Sequence, residues 1–209
     1  MKKLFITTIA ILLFLTGCSL ESPIEKNDNG KVDKKKSDVV IGVSISTLNN
    51  PFFVKIKDGI EKEAKKQGVK VKFADAQDDA AKQANDIDDL IQQKVDYLIV
   101  NPTDSDAISG SIQIANDEAI PVITLDRDVA KGDVASFIAS DNIKGGEMGG
   151  ELIVDELGED AKVAELEGVP GASATRERGK GFHNVADKSL DVVSKQSAKF
   201  NRTEGLNVT

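Results

Sequence analysis

The sequence predicts an α/β fold built on a parallel sheet covered on both faces. Three observations carry this. Short apolar runs rich in β-branched residues alternate with amphipathic stretches whose apolar residues recur at three- and four-residue spacing. The connections between them are short, as right-handed βαβ crossovers require. Polar residues follow almost directly on the apolar runs, and the carboxyl ends of parallel strands gather on one edge of a sheet.

The chain begins with a leader pattern. Lys2 and Lys3 precede the apolar run Leu4 to Leu15, which is too short for a stable membrane span. The run ends in Leu15-Thr16-Gly17-Cys18, which looks like a bacterial lipobox and marks Cys18 for lipidation. The plainer reading is a secretion signal with an incidental cysteine. Cys18 is the single cysteine, so no internal disulfide can form. Residues 1–17 thus read as a lipoprotein signal peptide and residues 18–37, polar and rich in Lys, Asp and Ser, as a flexible tether. Cleavage before Cys18 leaves 25 basic against 35 acidic side chains, a net charge of −10. That balance argues against a nucleic-acid partner.

The expected strands are Val39–Ile45, Val69–Phe73, Tyr97–Val100, Val122–Leu125, Val134–Ile138, Val163–Leu166 and Val192–Ser194. Between the first and second, Phe53, Ile56, Ile60 and Ala64 share a helix face. Asn50 is a good N-cap for that helix and Pro51 is pre-set for its first position. Phe52 and Phe53 are adjacent, so one ring packs inward and the other stays free. Ala80, Ala84, Ile87 and Ile91 form the next face, then Ile108, Ile112 and Ala115, with Asp104, Ser105 and Asp106 capping that third helix. Met148, Leu152 and the Leu157 region continue the pattern. The acidic stretch Asp75 to Asp89 reads as a solvated helix face. Asn201 to Thr209 begins another amphipathic helix, and the strand near Val192 lacks a following cover, which reads as an incomplete second lobe.

A catalytic reading starts badly. The single histidine, His183, falls in a helix-like segment and reads as a surface or boundary residue. No Gly-x-Ser-x-Gly elbow or Walker loop is present, and one His with one Cys offers no metal cluster. No metal or cofactor is expected. Gly145 to Gly150 faintly resembles a dinucleotide loop, but its position inside a helix favours close helix packing. What the strand ends carry suits a sugar. Phenyl rings cover the apolar faces of a sugar ring, while Asn, Asp and Arg satisfy its rim of hydroxyls. Asn50, Phe52, Phe53, Asn101, Asp126, Arg127, Arg178 and Phe200 are the candidate ligand-binding residues.

These residues lie in motifs with a wider likeness. Ser46 to Phe53, Asn101 to Ala107, Ile123 to Arg127, Ile138 to Asn142, Ala174 to Gly179 and Gly205 to Val208 occur in the order found in the periplasmic binding proteins of sugar ABC transporters. The chain resembles that family from about Val39 to its last residue, and most closely its ribose-binding members. The resemblance implies the type 1 fold of two Rossmann-like lobes joined by a hinge. The N-terminal lobe would span 38–140 and a partial C-terminal lobe 141–209, with the first crossing near Ser140-Asp141. It implies a monomer that holds D-ribose or a related sugar between Phe52 and Phe53 on one side and Phe200 on the other. Asn50, Asn101, Asp126 and Arg127 would come from the first lobe and Arg178 from the second. The closed form would dock on an ABC permease with its ATPase, anchored to the outer face of the cell membrane through Cys18. Family members continue well past this length, so an Asn, an Asp and a hinge Gln of the site would lie beyond residue 209. The 209 residues would then be a fragment or the product of a shortened gene.

Three other readings share parts of this evidence. One is a binding protein for another pentose, a hexose or a furanose-like signal. Another is the effector domain of a sugar-responsive repressor, against which the leader and the lack of a basic DNA-binding segment count. The third is an α/β enzyme using Asp126, for which a base and a nucleophile are missing.

Overall fold

The computed structural model describes residues 34–209. The leader, Cys18 and the greater part of the expected tether lie outside the described residues. A 3-10 turn at Lys36–Asp38 leads into β1, Val40–Ile45. Then follow α1 (Pro51–Gln67), β2 (Lys70–Asp75), α2 (Ala80–Gln92), β3 (Tyr97–Val100), α3 (Ser109–Asp117), β4 (Val122–Leu125) and β5 (Ser136–Ile138). The second part holds α4 (Asn142–Leu157), β6 (Ala161–Glu167), α5 (Ser173–Ser189), β7 (Leu190–Ser197) and α6 (Arg202–Asn207).

The first five strands form one sheet in the order β2-β1-β3-β4-β5, every neighbouring pair parallel. Side chains alternate across it. Val43 and Ile45 of β1 pack on Phe53 of α1, with Ile56 and Ile60 beside them. On the other face Leu98 and Val100 of β3 and Val122 of β4 meet Ile87 and Leu90 of α2 and Ile112 and Ala115 of α3. Gly42 of β1 lets that layer close, because an added Cβ would lie 3.0 Å from Leu98 Cδ2. This is the doubly covered parallel sheet expected of βαβ units.

The chain passes to the second sheet through residues 139–141. There β6 and β7 pair in parallel, with a register shift between Val163 and Ala164. β7 is longer than the expected Val192–Ser194 and follows α5 without a loop, because Leu190 already has extended backbone. Helix α4 departs from the expected face. Met148, Leu152 and Leu157 are exposed, and the buried positions are Asn142, Gly146 and Gly150. The helix turns its glycines to α5: a Cβ at Gly146 would overlap the Arg178 carbonyl, and one at Gly181 would overlap the Ile143 carbonyl. Close backbone approach replaces side-chain interdigitation here, so hydropathy pointed to the wrong stripe. The packing reading of Gly145 to Gly150 fits this contact. Among the described residues no helix is long and apolar enough to cross a membrane.

Candidate functional site

The strand ends of the larger sheet and the segment after β7 enclose a cleft of about 290 Å³. Asn50, Phe53 and Arg127 come from the first side, Phe200 and Asn201 from the second. On the first side Asn50 caps α1, its Oδ1 accepting from the Phe52 amide at 3.0 Å. The cap orients the two rings that follow. Phe53 is 2% exposed and belongs to the core, while Phe52 is 52% exposed. Their rings meet edge to face at 5.2 Å, so the buried ring steadies the free one.

Arg127 is the largest fully buried side chain in the described residues. Its Nη1 donates to the Pro102 carbonyl at 2.9 Å. Its guanidinium stands between two aromatic faces, 5.1 Å from the Phe53 centroid and 5.6 Å from that of Phe200. Its Nε is buried with no hydrogen-bond partner, and Asp126 Oδ2 is 3.6 Å away. A buried N–H without an acceptor is costly, which sets this donor apart from the satisfied polar groups around it. Burial lowers the pKa of Arg127 from its usual value, while Asp126 and Asp78 raise it and Arg178 lowers it further. Asp126 shows the mirror case. Burial raises its carboxyl above the usual range, with Arg127 and then Arg178 pulling it down.

Arg178, on α5, does not line the same cleft. It lines an adjoining groove with Phe200, 6.0 Å from that ring, and its Nη2 donates to Asn142 Oδ1 at 2.6 Å. Phe200 joins the two spaces. Its ring rests on Gly168, where a Cβ would overlap it. Asn101 lies apart from both. Its side chain is buried in the framework, with Oδ1 accepting from Ser46 Oγ at 2.6 Å and Nδ2 donating to the Leu125 carbonyl at 3.0 Å. It ties the ends of β1 and β4 together rather than facing the cleft.

Sequence reasoning missed most of the other lining residues, Thr47, Asn49, Asn201 and Arg202 among them, and the two charged side chains Asp78 and Lys199. Asp78 follows β2 and lies in the acidic stretch Asp75 to Asp89, which the sequence presents as a solvated helix face. That stretch is put to mixed use: Asp75 accepts from the Leu48 amide and Asp79 caps α2. Asp78, Asp126, Lys199 and Phe200 all have left-handed backbone, with φ of 63°, 64°, 51° and 54°. Non-glycine residues seldom adopt it, and such strained positions concentrate at ligand sites. Among the described residues no group of three His, Cys, Asp or Glu could hold a metal ion.

Comparisons with known proteins bear on the family and the fold. The family model described as a periplasmic binding protein domain matches residues 41–209. The ribose import binding protein of Bacillus subtilis (strain 168) is 58% identical over 209 residues, covering all of this chain and 68% of the relative. That of Haemophilus influenzae is 46% identical over 210 residues, with 67% of its length covered. The solved myo-inositol binding protein of Caulobacter superposes with a TM-score of 0.78 at 32% identity, over 85% of this chain and 61% of that one. The chain therefore spans about two thirds of the length of these relatives. It belongs to the periplasmic binding protein family.

Proposed function

We propose that this chain is the substrate-binding component of a sugar ABC importer, taking D-ribose outside the cytoplasm and presenting it to a membrane permease with its ATPase. The carrying observation is the cleft itself. It is bounded by the rings of Phe53 and Phe200 with the Arg127 guanidinium between them, and Phe52 and the Asp126 carboxylate stand just behind its wall. Rings cover the C–H faces of a sugar while the charged pair takes its hydroxyls. The 58% identity to a ribose import binding protein supports ribose in particular. Asn50 shapes the rim through its cap, Arg178 supplies a second fork of donors in the adjoining groove on the far side of Phe200, and Asn101 holds the strand ends in place. Cys18 would carry the lipid anchor that keeps the protein on the outer face of the membrane.

The test completes the chain with the remaining third of the Bacillus subtilis relative and titrates sugars calorimetrically. Ribose should bind, and Arg178→Ala should weaken it at least about tenfold, since a hydrogen bond from a charged donor contributes roughly 1.5–3 kcal/mol. Unchanged affinity would remove Arg178 from the site, and no heat with ribose would remove ribose. The second reading is a cyclic polyol, favoured by the structural likeness to a protein bound to myo-inositol. Myo-inositol therefore belongs in the same titration.

A further inference from the structure

Helix α5, which carries Arg178, starts without a cap of its own. Its N-cap residue is Ala172, whose side chain can accept nothing; α3, which starts after Ile108 and not at the expected Asp104 to Asp106, also lacks a side-chain cap, whereas α1, α2, α4 and α6 are capped by Asn50, Asp79, Asp141 and Asn201. The first amides of a helix need acceptors. Ala172's own carbonyl takes the amides of Thr175 and Arg176. The Ser173 amide goes elsewhere: it donates to Ser105 Oγ at 3.1 Å, on the loop after β3 of the larger lobe. The helix is capped across the lobes.

Two more hydrogen bonds join the same point. Ser173 Oγ accepts from the Asp128 amide at 2.8 Å, and the Ser105 amide donates to the Gly171 carbonyl at 3.0 Å. Ser105 and Ser173 are both buried. Ser105 is itself fixed, its carbonyl accepting from the Ala130 amide at 2.8 Å. Gly171 permits the approach, because a Cβ there would overlap the Asp104 carboxylate. That carboxylate lies at the positive end of α5, where a negative charge is favoured. None of Ser105, Gly171 and Ser173 lines the aromatic cleft.

We propose that Ser105 and Ser173 form a ligand-independent clasp that holds the lobes together. Parting the lobes uncaps α5 and breaks three hydrogen bonds at once. The clasp also sets geometry. Asp128 is two residues from Asp126, and Ser173 is five from Arg178, so Ser173 Oγ ties the loop bearing Asp126 and Arg127 to the helix bearing Arg178. Ser105 and Ser173 are positioning residues: they touch no sugar, and they raise the fraction of chain already closed when a sugar arrives. A ligand that binds the closed form gains apparent affinity in proportion to that fraction. This last consequence rests on the sugar-binding reading; the clasp does not.

Amide hydrogen exchange on the unaltered sugar-free chain, with small-angle scattering beside it, tests the clasp. Ser173→Ala removes the acceptor of the Asp128 amide and suits the first turn of a helix; Asp128 should exchange roughly five- to tenfold faster. Ser105→Ala should do the same to the Ser173 amide and broaden the lobe separation. Ser105→Thr, which keeps the hydroxyl, should restore both. In each variant the amides of β3 should keep their rates, which separates parting of the lobes from loss of fold. Unchanged exchange at Asp128 in Ser173→Ala overturns the clasp, even if Ser105→Ala fails to fold. Faster exchange here, together with no heat from any sugar in the completed chain, would keep the clasp and sink the sugar reading.

Discussion

In the larger lobe β3 lies between β1 and β4 with helices over both faces, and its Leu98 and Val100 are wholly buried. In the smaller lobe β6 alternates between partly buried and exposed residues, and Leu166, Val193 and Leu206 stand exposed, the last at 78%. The buried apolar side chains of the smaller lobe are alanines: Ala172, Ala174, Ala186 and Ala198. The larger lobe is therefore held by burial of branched side chains. The smaller is held by backbone approach between α4 and α5, by ion pairs across β6 and β7, and by its contacts with the larger lobe. The difference teaches where rigidity comes from on each side of the cleft. Phe53 sits in a true core, whereas Arg178 and Phe200 are positioned by glycines, amides and capping.

The sharpest break of this contrast is Leu98→Ala. Truncating a side chain at the centre of the larger core should cost about 2–5 kcal/mol in chemical denaturation. Val193→Ala in the smaller lobe should stay within about 0.5 kcal/mol, as exposed positions do. Equal losses would mean that both lobes rest on apolar packing alike.

Gly181→Ala sharpens the other half. Its added methyl would strike the Ile143 carbonyl, a backbone atom that cannot swing aside. Overpacking of that kind costs about 1–3 kcal/mol. Exchange protection should fall in α4 and α5 and persist in β3. A variant that melts as the parent does would show that the helix pair has room to slide.

The sequence made the larger lobe readable because its signals are large. Tyr97–Val100 and Val122–Leu125 are the observed bounds of β3 and β4, since continuous apolar runs between polar turns leave little choice. Asn50 and Pro51 announced α1, and the adjacent phenylalanines announced one buried and one free ring. The smaller lobe was less legible because its determinants carry no hydropathy. Glycines at 146, 150 and 181 bury a helix face without an apolar stripe, and Met148 and Leu152 drew attention to the wrong one. The site was legible as a set of residue types at strand ends, but not as contacts. Nothing local showed that Asn101 would spend its amide on Ser46 and Leu125. Asp78 was hidden by its acidic neighbours. The cross-lobe cap joins residues 68 apart, and its only local trace is an alanine where a capping side chain is usual.

The smallest expected effect concerns His183, which bridges α5 to β6. Its Nδ1 is 2.7 Å from Asp187 Oδ1 and its Nε2 is 2.9 Å from Glu165 Oε2. Both ring nitrogens face carboxylates, so both are best met as donors, which only the imidazolium allows. The hydrogen bond to Asp187 raises its pKa most; the bond to Glu165 and both charges add to that, against a lowering by burial. Lys195 lies 3.7 Å from the same Glu165 oxygen and competes for it. A group with a raised folded pKa contributes stability that is full below its unfolded value of about 6.5 and is lost as pH rises through the folded value. The chain should thus lose a little stability between mildly acidic and alkaline pH, and His183→Gln should lose less over the same range. The site is solvent-accessible, so screening keeps the difference below about 1 kcal/mol. It should show in exchange at β6 and α5 and not at β3. Identical pH dependence in the parent and the glutamine variant would leave His183 as a passive surface residue, with Lys195 alone pairing Glu165.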